Sequence, residues 1–246
     1  MGDRVPGVEG KSNPGGKRLV IAIDGPAGSG KSTLAALLAR KYNYTNIETG
    51  AMYRVLAFKA IEHGIPLDDG AKLAALAQQS RIELVSRPEG NRVLLDGADV
   101  TERLRSQEVT DAASKVSVHP LVREWMVDSQ RKMGSGGGIV MEGRDIGTKV
   151  FPDAEVKIFL DAAPEIRGTR RFLENPASAA QEASVVAELH ARDQRDRTRA
   201  NSPLAPAPDA VLIDSTYLTL DQVLARAVEL IDARLSRIQQ RSEMQA

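Results

Sequence analysis

The chain contains no cysteine, which excludes disulfide bonds, thiol catalysis and cysteine-ligated metals. Its three histidines are scattered, and no grouping of them resembles a zinc ligand set. Aromatic residues make up only 4% of the sequence, and the 33 basic residues are balanced by 33 acidic residues. A general nucleic-acid-binding protein usually carries a basic surplus. The composition therefore disfavours that class, although a local basic patch stays compatible with it.

Long apolar runs are also missing, since no segment approaches the roughly 20 apolar residues that a membrane span requires. No apolar stretch near the N-terminus resembles a secretory signal, so we expect a cytoplasmic protein without a membrane partner. Residues 1–17 are rich in glycine, proline and charge, and are predicted to form a disordered tail. The remaining length suits one large α/β domain with an inserted subdomain.

A glycine-rich loop follows the apolar run Leu19–Ile23 and precedes a leucine-rich segment with helical spacing. Its pattern, G-x-x-x-x-G-K-S, occupies Gly25–Ser32 and is typical of a phosphate-binding loop. Glycines let the backbone N–H groups turn toward a phosphate, and the following helix adds the positive end of its dipole. Lys31 is expected to reach the outer phosphates, and Ser32 to bind the Mg²⁺ that accompanies them. The residues predicted to hold the triphosphate are Gly25, Pro26, Ala27, Gly28, Ser29, Gly30, Lys31, Ser32 and Thr33.

Further predicted strands near residues 45, 139, 156 and 210 alternate with helical patterns. This alternation predicts a three-layer α/β fold with a five-stranded parallel sheet. Ligands of such sheets bind beyond the carboxyl ends of the strands. The glycine loop, Thr49 and the Glu142–Asp145 turn are therefore expected along one edge, and Thr49 is also a candidate helix cap.

Residues 76–114 depart from this alternation, because they contain short apolar runs separated by the turn signals 88–91 and Asp96-Gly97. We predict a small inserted subdomain there, with a hairpin or three-stranded antiparallel sheet. The core then comprises 18–75 and 115–235, and the last helix is expected to fray from about Gln239, leaving a frayed tail at 241–246.

Arginines cluster between residues 165 and 200, where Arg192, Arg195 and Arg199 share one predicted helix face. Internal salt bridges on a solvated helix explain this spacing equally well, for example between Arg192 and Asp196. Beside a triphosphate site the same arginines suit phosphoryl transfer, which requires cations around the reacting phosphates. Residues 165–200 are therefore predicted to form an arginine-bearing lid that also excludes water.

Several motifs occur together in a specific order: the loop motif at 23–32, Thr-Gly-Ala-Met-Tyr-Arg at 49–54, Glu-Gly-Arg-Asp-Ile-Gly-Thr at 142–148 and Arg-Asp-Gln-Arg-Asp-Arg at 192–197. With Val-Phe-Pro-Asp-Ala at 150–154 and Lys-Ile-Phe-Leu-Asp-Ala at 157–162, they resemble the bacterial cytidylate kinases from about residue 18 to 235. The resemblance implies a P-loop nucleoside monophosphate kinase domain over 18–240. It also implies that ATP and Mg²⁺ phosphorylate CMP or dCMP, and that the 76–114 insert belongs to the CMP-binding region.

The resemblance further implies the residues that hold the nucleotide monophosphate: Thr49, Arg54, Ser114, Arg123, Arg144, Asp145, Arg192, Asp196 and Arg199. Arg54, Arg144 and Arg192 suit the acceptor phosphate, Arg123 and Asp196 suit the cytosine edge, and Asp145 with Ser114 suits the sugar hydroxyls. No catalytic base is required, because the acceptor phosphate is itself the nucleophile. The residues expected to act in catalysis are Lys31, Arg144, Arg192, Arg195 and Arg199.

Other functions compete with this interpretation. A P-loop kinase for another small molecule has the same glycine loop. A GTPase switch is disfavoured, because the sequence has no N-K-x-D base-reading motif and no D-x-x-G after the third strand. A nucleic-acid-binding ATPase is disfavoured by the zero net charge. We expect a monomer.

Overall fold

The computed structural model describes residues 18–86, 91–174 and 182–244. The predicted tail at 1–17, most of the turn at 88–91 and the segment 175–181 lie outside the described residues. Within the described ranges, no helix combines the length and the apolar character needed to cross a membrane.

The main sheet has five parallel strands in the order β2-β6-β1-β7-β8, which confirms the predicted fold class. Hydrogen-bonded neighbours bring Asp24, at the end of β1, opposite Gly143 at the end of β6. The two loops that follow these strands therefore start side by side. The strands are β1 (Val20–Asp24), β2 (Thr45–Glu48), β6 (Ile139–Gly143), β7 (Val156–Asp161) and β8 (Val211–Asp214).

A second sheet is antiparallel, with the order β3-β4-β5, and occupies the region where the sequence predicted a small sheet. Its strands are β3 (Ile82–Val85), β4 (Arg92–Leu95) and β5 (Ala98–Asp99). Its buried residues, such as Val93, share one core with helices α2 to α5. This core is distinct from the apolar clusters around the main sheet.

The described ranges contain eight α-helices, of which seven lie between strands and α8 follows the last strand. They are α1 (Lys31–Tyr42), α2 (Thr49–Glu62), α3 (Gly70–Gln78), α4 (Gln107–Val116), α5 (Pro120–Gly134), α6 (Pro164–Glu174), α7 (Glu182–Thr198) and α8 (Leu220–Glu243). Two shorter helical turns occur at Thr101–Arg105 and Ile146–Val150. Leu34 and Leu38 of α1 pack with Ala227 and Ile231 of α8 on one face of the main sheet. The other face contacts Val127 of α5.

Two local expectations differ from the structure. Thr49 is the first residue of α2 rather than its cap, and its hydroxyl donates a hydrogen bond to the Glu142 carbonyl at 2.8 Å. This bond ties the start of α2 to the end of β6. The last helix continues to Glu243, beyond Gln239 where fraying was expected. A capping box of Thr219 and Gln222 stabilises its other end.

Candidate active site

The glycine loop connects the end of β1 to the start of α1, as the sequence predicted. Gly30 has a φ of 93° and Gly28 a φ of 74°, a backbone conformation that side chains disfavour. A Cβ on Gly28 would also lie 2.8 Å from the Arg167 carbonyl oxygen. Glycine is thus required at position 28 both for conformation and for close packing against α6.

Lys31 lies almost entirely inside this loop, with 5% of its surface exposed. Its ammonium donates to the Pro26 carbonyl at 2.6 Å and to the Ser29 hydroxyl at 3.4 Å. Burial lowers the pKa of Lys31 below its usual range, and the positive charge of Arg144 lowers it further. An anion bound in the loop would oppose both effects, so the site is electrostatically suited to phosphate.

Ser32 donates a hydrogen bond to Glu142 Oε1 at 2.9 Å. Glu142 ends β6, and burial raises the pKa of its carboxyl group while the charge of Lys31 opposes that shift. The sequence pattern predicted Glu142 at the correct edge of the sheet but did not indicate a role for its side chain. Its position directly after the apolar run Ile139–Met141 was the available signal. A hydroxyl and a carboxylate adjacent to the phosphate loop are oxygen ligands that Mg²⁺ prefers.

Asp24 fixes the turn that follows β6. Its two carboxylate oxygens accept hydrogen bonds from the backbone N–H groups of Ile146 and Gly147, each at 2.7 Å. Burial raises the pKa of Asp24 to about 6, although these two hydrogen bonds oppose the shift. Arg144 and Asp145 directly precede the two amides, so Asp24 holds them beside the glycine loop.

A cluster of arginines surrounds Asp196 of α7. Arg144 Nε donates to Asp196 Oδ2 at 2.9 Å, and Arg199 Nη1 lies 3.8 Å from Asp196 Oδ1. Burial alone would raise the pKa of Asp196, but Arg144, Arg192 and Arg199 outweigh it and hold that pKa below its usual value. Burial lowers the pKa of Arg192 to about 10, and the charge of Arg144 contributes in the same direction. The arginines exceed their acidic partner in number, so this part of the cleft suits an anion.

A second buried pair joins Arg123 and Asp145, which are 3% and 7% exposed. Arg123 also donates to the Ser117 carbonyl at 3.2 Å and lies 5.9 Å from the centre of the Tyr53 ring. Within the described parts of the chain, Arg123 Nε and Arg199 Nη2 are buried without a hydrogen-bond partner. Such atoms are costly unless a ligand satisfies them. The family resemblance grouped Arg123 with Asp196, whereas the direct contact of Arg123 is with Asp145.

Arg54 reaches the cleft from α2 and is in direct contact with Glu48 at the end of β2. Both side chains are about a quarter exposed, at 27% each. The motif at 49–54 thus places a guanidinium in the same cleft as the glycine loop. Glu48, its partner, was not identified from the sequence.

Most of the predicted site residues line a single cleft, but Gly25, Pro26 and Ser29 of the loop do not, and neither does Arg195. Arg195 is exposed, and its Nε donates to Ser114 Oγ at 3.2 Å from outside the cleft. Its position on the helix is rotated from those of Arg192 and Arg199, so its side chain reaches α4 instead. The cleft is lined by Ala27, Gly28, Gly30, Lys31, Ser32, Thr33, Glu48, Thr49, Gly50, Tyr53, Arg54, Ala113, Ser114, Ser117, Arg123, Glu142, Gly143, Arg144, Asp145, Arg171, Leu189, Arg192, Asp196 and Arg199.

Comparison with known proteins gives the same family over almost the whole described chain. The sequence family described as cytidylate kinase matches residues 21–233. The cytidylate kinase of Geobacillus thermodenitrificans (strain NG80-2) is 48% identical over 89% of this chain and 99% of its own length. That of Pelotomaculum thermopropionicum (strain DSM 13744 / JCM 10971 / SI) is 51% identical over 88% of this chain and 95% of its own. Among solved structures, a shikimate kinase from Bacteroides thetaiotaomicron aligns with a TM-score of 0.42 and 12% identity, over 92% of this chain and 98% of that one. A match that extends over both the glycine loop and the arginine cluster assigns this chain to the cytidylate kinase family.

Proposed function

We propose that the protein transfers the γ-phosphoryl group of ATP to CMP or dCMP, giving ADP and CDP or dCDP. The observation that carries the proposal is the shared cleft, in which a triphosphate loop faces an arginine cluster around Asp196. Relatives of nearly equal length, named cytidylate kinases, support the choice of acceptor. These observations favour a (d)CMP kinase over another small-molecule kinase or a GTPase switch.

On the donor side, the loop amides and Lys31 would bind the β- and γ-phosphates of ATP. Ser32 and Glu142 would hold Mg²⁺, directly or through its water ligands, since both present oxygen atoms beside Lys31. When bound, the metal neutralises the charge that develops on the transferring phosphoryl group. Lys31 would stabilise that charge, because the Pro26 carbonyl holds its ammonium group within the loop.

On the acceptor side, we propose that Arg54, Arg144 and Arg192 bind the phosphate of CMP, with Arg199 next to them. Catalysis then consists of alignment and charge neutralisation, because the acceptor phosphate is itself a nucleophile. Asp24 supports this alignment by fixing the turn that carries Arg144.

The grouping of side chains suggests how the nucleoside is recognised. Arg123 and Asp145 are in direct contact, so together they present hydrogen-bond donors and an acceptor, as a cytosine edge requires. We therefore propose this pair, with Ser114 nearby, as the main reader of the base. Asp196 and Thr49 would then lie nearer the sugar and phosphate. Arg195 would act indirectly, by holding Ser114 in place.

A panel of acceptors tests the proposal. ATP and Mg²⁺ are incubated with CMP, dCMP, UMP, AMP or GMP, and diphosphate formation is followed for each. We expect turnover with CMP and dCMP to exceed turnover with the purine nucleotides by more than tenfold. Equal rates with all five acceptors, or tight GTP binding without phosphoryl transfer, would refute the assignment. The cytoplasmic location and the monomeric state also stay predictions, and light scattering during size exclusion measures the latter.

A further inference from the structure

Arg167 is a buried arginine that is not among the residues lining the cleft. It lies near the start of α6 and is 3% exposed. Its Nε donates to the Ala162 carbonyl at 2.9 Å, and its Nη1 donates to the carbonyl of Ala27 at 3.0 Å. Ala27 belongs to the glycine loop. Because charged side chains are rarely buried so completely without a specific set of partners, this contact requires an explanation.

The same Nη1 atom of Arg167 lies 2.5 Å from Asp193 Oδ2 on α7. Asp193 is also buried, at 6% exposure, and its Oδ1 atom has no hydrogen-bond partner within the described ranges. On α7, Asp193 directly follows Arg192 and lies three residues before Asp196. One guanidinium therefore connects the loop of the donor side to the helix that carries the acceptor side.

This contact gives Asp193 a function that the motif at 192–197 left open. A purely structural ion pair between α6 and α7 would not require Arg167 to reach the glycine loop. Here the loop is packed against α6 at two points, through the Ala27 carbonyl and through the close approach of Gly28 to the Arg167 carbonyl. Any shift of the loop moves an atom that Arg167 contacts, and Arg167 transmits the shift to Asp193.

We propose that Arg167 is a positioning residue that couples the two halves of the cleft, so that binding of ATP and binding of CMP strengthen each other. This inference rests on the proposed function. A triphosphate fixes the glycine loop, and the loop fixes Arg167 and Asp193 in the arrangement that presents Arg192 and Asp196 to CMP. By thermodynamic linkage, the factor by which ATP raises the affinity for CMP equals the factor by which CMP raises that for ATP.

Titration calorimetry on the full chain measures this factor. The affinity for CMP is determined with and without a saturating non-hydrolysable ATP analogue and Mg²⁺, for the wild type, Arg167→Met, Asp193→Asn and the double variant. We expect the wild type to show a coupling factor of about 5 or more, within the usual range for linked sites. In each variant the factor should fall to about 1, while the affinity for CMP alone changes less than threefold.

Arg197→Met is the matched control. Arg197 also lies on α7, and its side chain is 46% exposed. It pairs at 3.6 Å with Asp161, which also lies 3.9 Å from Arg167 Nε, so the control removes a neighbouring charge and leaves the contact of Arg167 with Asp193 in place. Loss of Arg197 should leave the coupling factor unchanged. Coupling that persists in Arg167→Met or Asp193→Asn overturns the inference, as does a wild-type factor of 1. Asp193→Asn preserves the volume of the side chain and therefore keeps the test available if Arg167→Met does not fold. Absence of CMP binding in the wild type would instead contradict the proposed function.

Discussion

Lys31 is the residue on which the donor side depends most. Its ammonium is buried, is held by the Pro26 carbonyl and interacts with the charges of Arg144 and Glu142. No other lysine lines the described cleft. We expect Lys31→Ala to lower kcat about 100-fold or more, as removal of one preorganised charge-stabilising group does in other enzymes. Initial-rate measurements at saturating ATP and CMP test this.

Lys59→Ala serves as the control for this substitution. Lys59 pairs with Asp96 at 2.7 Å on the second sheet, away from the glycine loop. Its removal should leave kcat within about twofold of the wild type. Turnover of Lys31→Ala close to that of the wild type would eliminate Lys31 from the mechanism.

Arg123 and Asp196 differ in what they are expected to contribute to base selection. Arg123→Ala removes the partner of Asp145 and should lower the ratio of kcat/KM for CMP over UMP about tenfold or more, because buried polar groups then lose a specific partner. Asp196→Ala releases Arg144 and Arg199 and should raise the KM for CMP more than it changes that ratio. Neither should alter the KM for ATP by more than about threefold.

The relevant measurement is the CMP to UMP ratio of kcat/KM, determined beside the KM for ATP. Arg103→Ala, whose side chain pairs with Glu62 on the surface, is the control. An unchanged ratio in Arg123→Ala would assign base recognition elsewhere.

At the scale of elements, the contact between the glycine loop and α6 can be tested through Gly28. Gly28→Ala introduces a Cβ at a φ of 74° and 2.8 Å from the Arg167 carbonyl oxygen. We expect it to raise the KM for ATP about tenfold or more, because either the loop or α6 has to move. The strain of the positive φ should also lower the free energy of unfolding by about 1 kcal/mol.

Gly64→Ala separates the two effects of that substitution. Gly64 has a similar φ of 64°, and within the described chain no atom lies within 4 Å of the position that a Cβ would occupy there. It should therefore lose similar stability in urea denaturation and keep the KM for ATP of the wild type. An equal rise of KM in both variants would show that the contact with α6 is unimportant.

Much of the arrangement of elements follows from the sequence, and the exceptions have identifiable causes. Apolar runs predict the strands, and the rule that ligands bind beyond the strand ends places the glycine loop beside the 142–145 turn. The roles of Asp24 and Glu142 depend on strand order, because only the pairing of β1 with β6 brings Asp24 to Ile146 and Gly147. Periodicity within one chain segment does not contain that order.

Helix spacing gave a wrong prediction for Arg195 and did not predict the burial of Asp193. Arg195 shares a predicted face with Arg192 and Arg199, but a residue at the border of a face reaches whichever neighbour is nearer, which here is Ser114. Asp193 looks like a partner for Arg197 on a solvated helix, whereas the structure buries it against Arg167. Burial of charge depends on packing between α6 and α7, which a pattern of charges along one helix does not reveal.

For the whole molecule, Asp24 produces a pH dependence of stability. Its pKa is raised from 3.8 to about 6 in the folded protein, so the folded state binds the proton more tightly than the unfolded state. The contribution of Asp24 to stability is then fully present below pH 3.8 and is lost as the pH rises through about 6. Asp24→Asn cannot titrate and lacks this dependence.

Urea denaturation of both proteins between pH 3.8 and 7 isolates this contribution. The difference in the free energy of unfolding, wild type minus Asp24→Asn, should decrease as the pH rises and level off above about 6. A difference that is constant with pH would contradict the shift. Glu155→Gln is a suitable control, because Glu155 accepts a backbone N–H at the other end of β1, from Val20 at 2.9 Å.

The pairing of the cleft arginines with acids has a consequence for the anions among which the protein works. Arg54 contacts Glu48, and Arg144 and Arg199 contact Asp196. At these arginines, sulfate or inorganic phosphate must displace a carboxylate that is tethered to the same chain and does not diffuse away. A nucleotide adds contacts of its base and sugar to those of its phosphate and so prevails in that competition. At these three arginines, free phosphate in the surroundings should therefore compete poorly with the nucleotide.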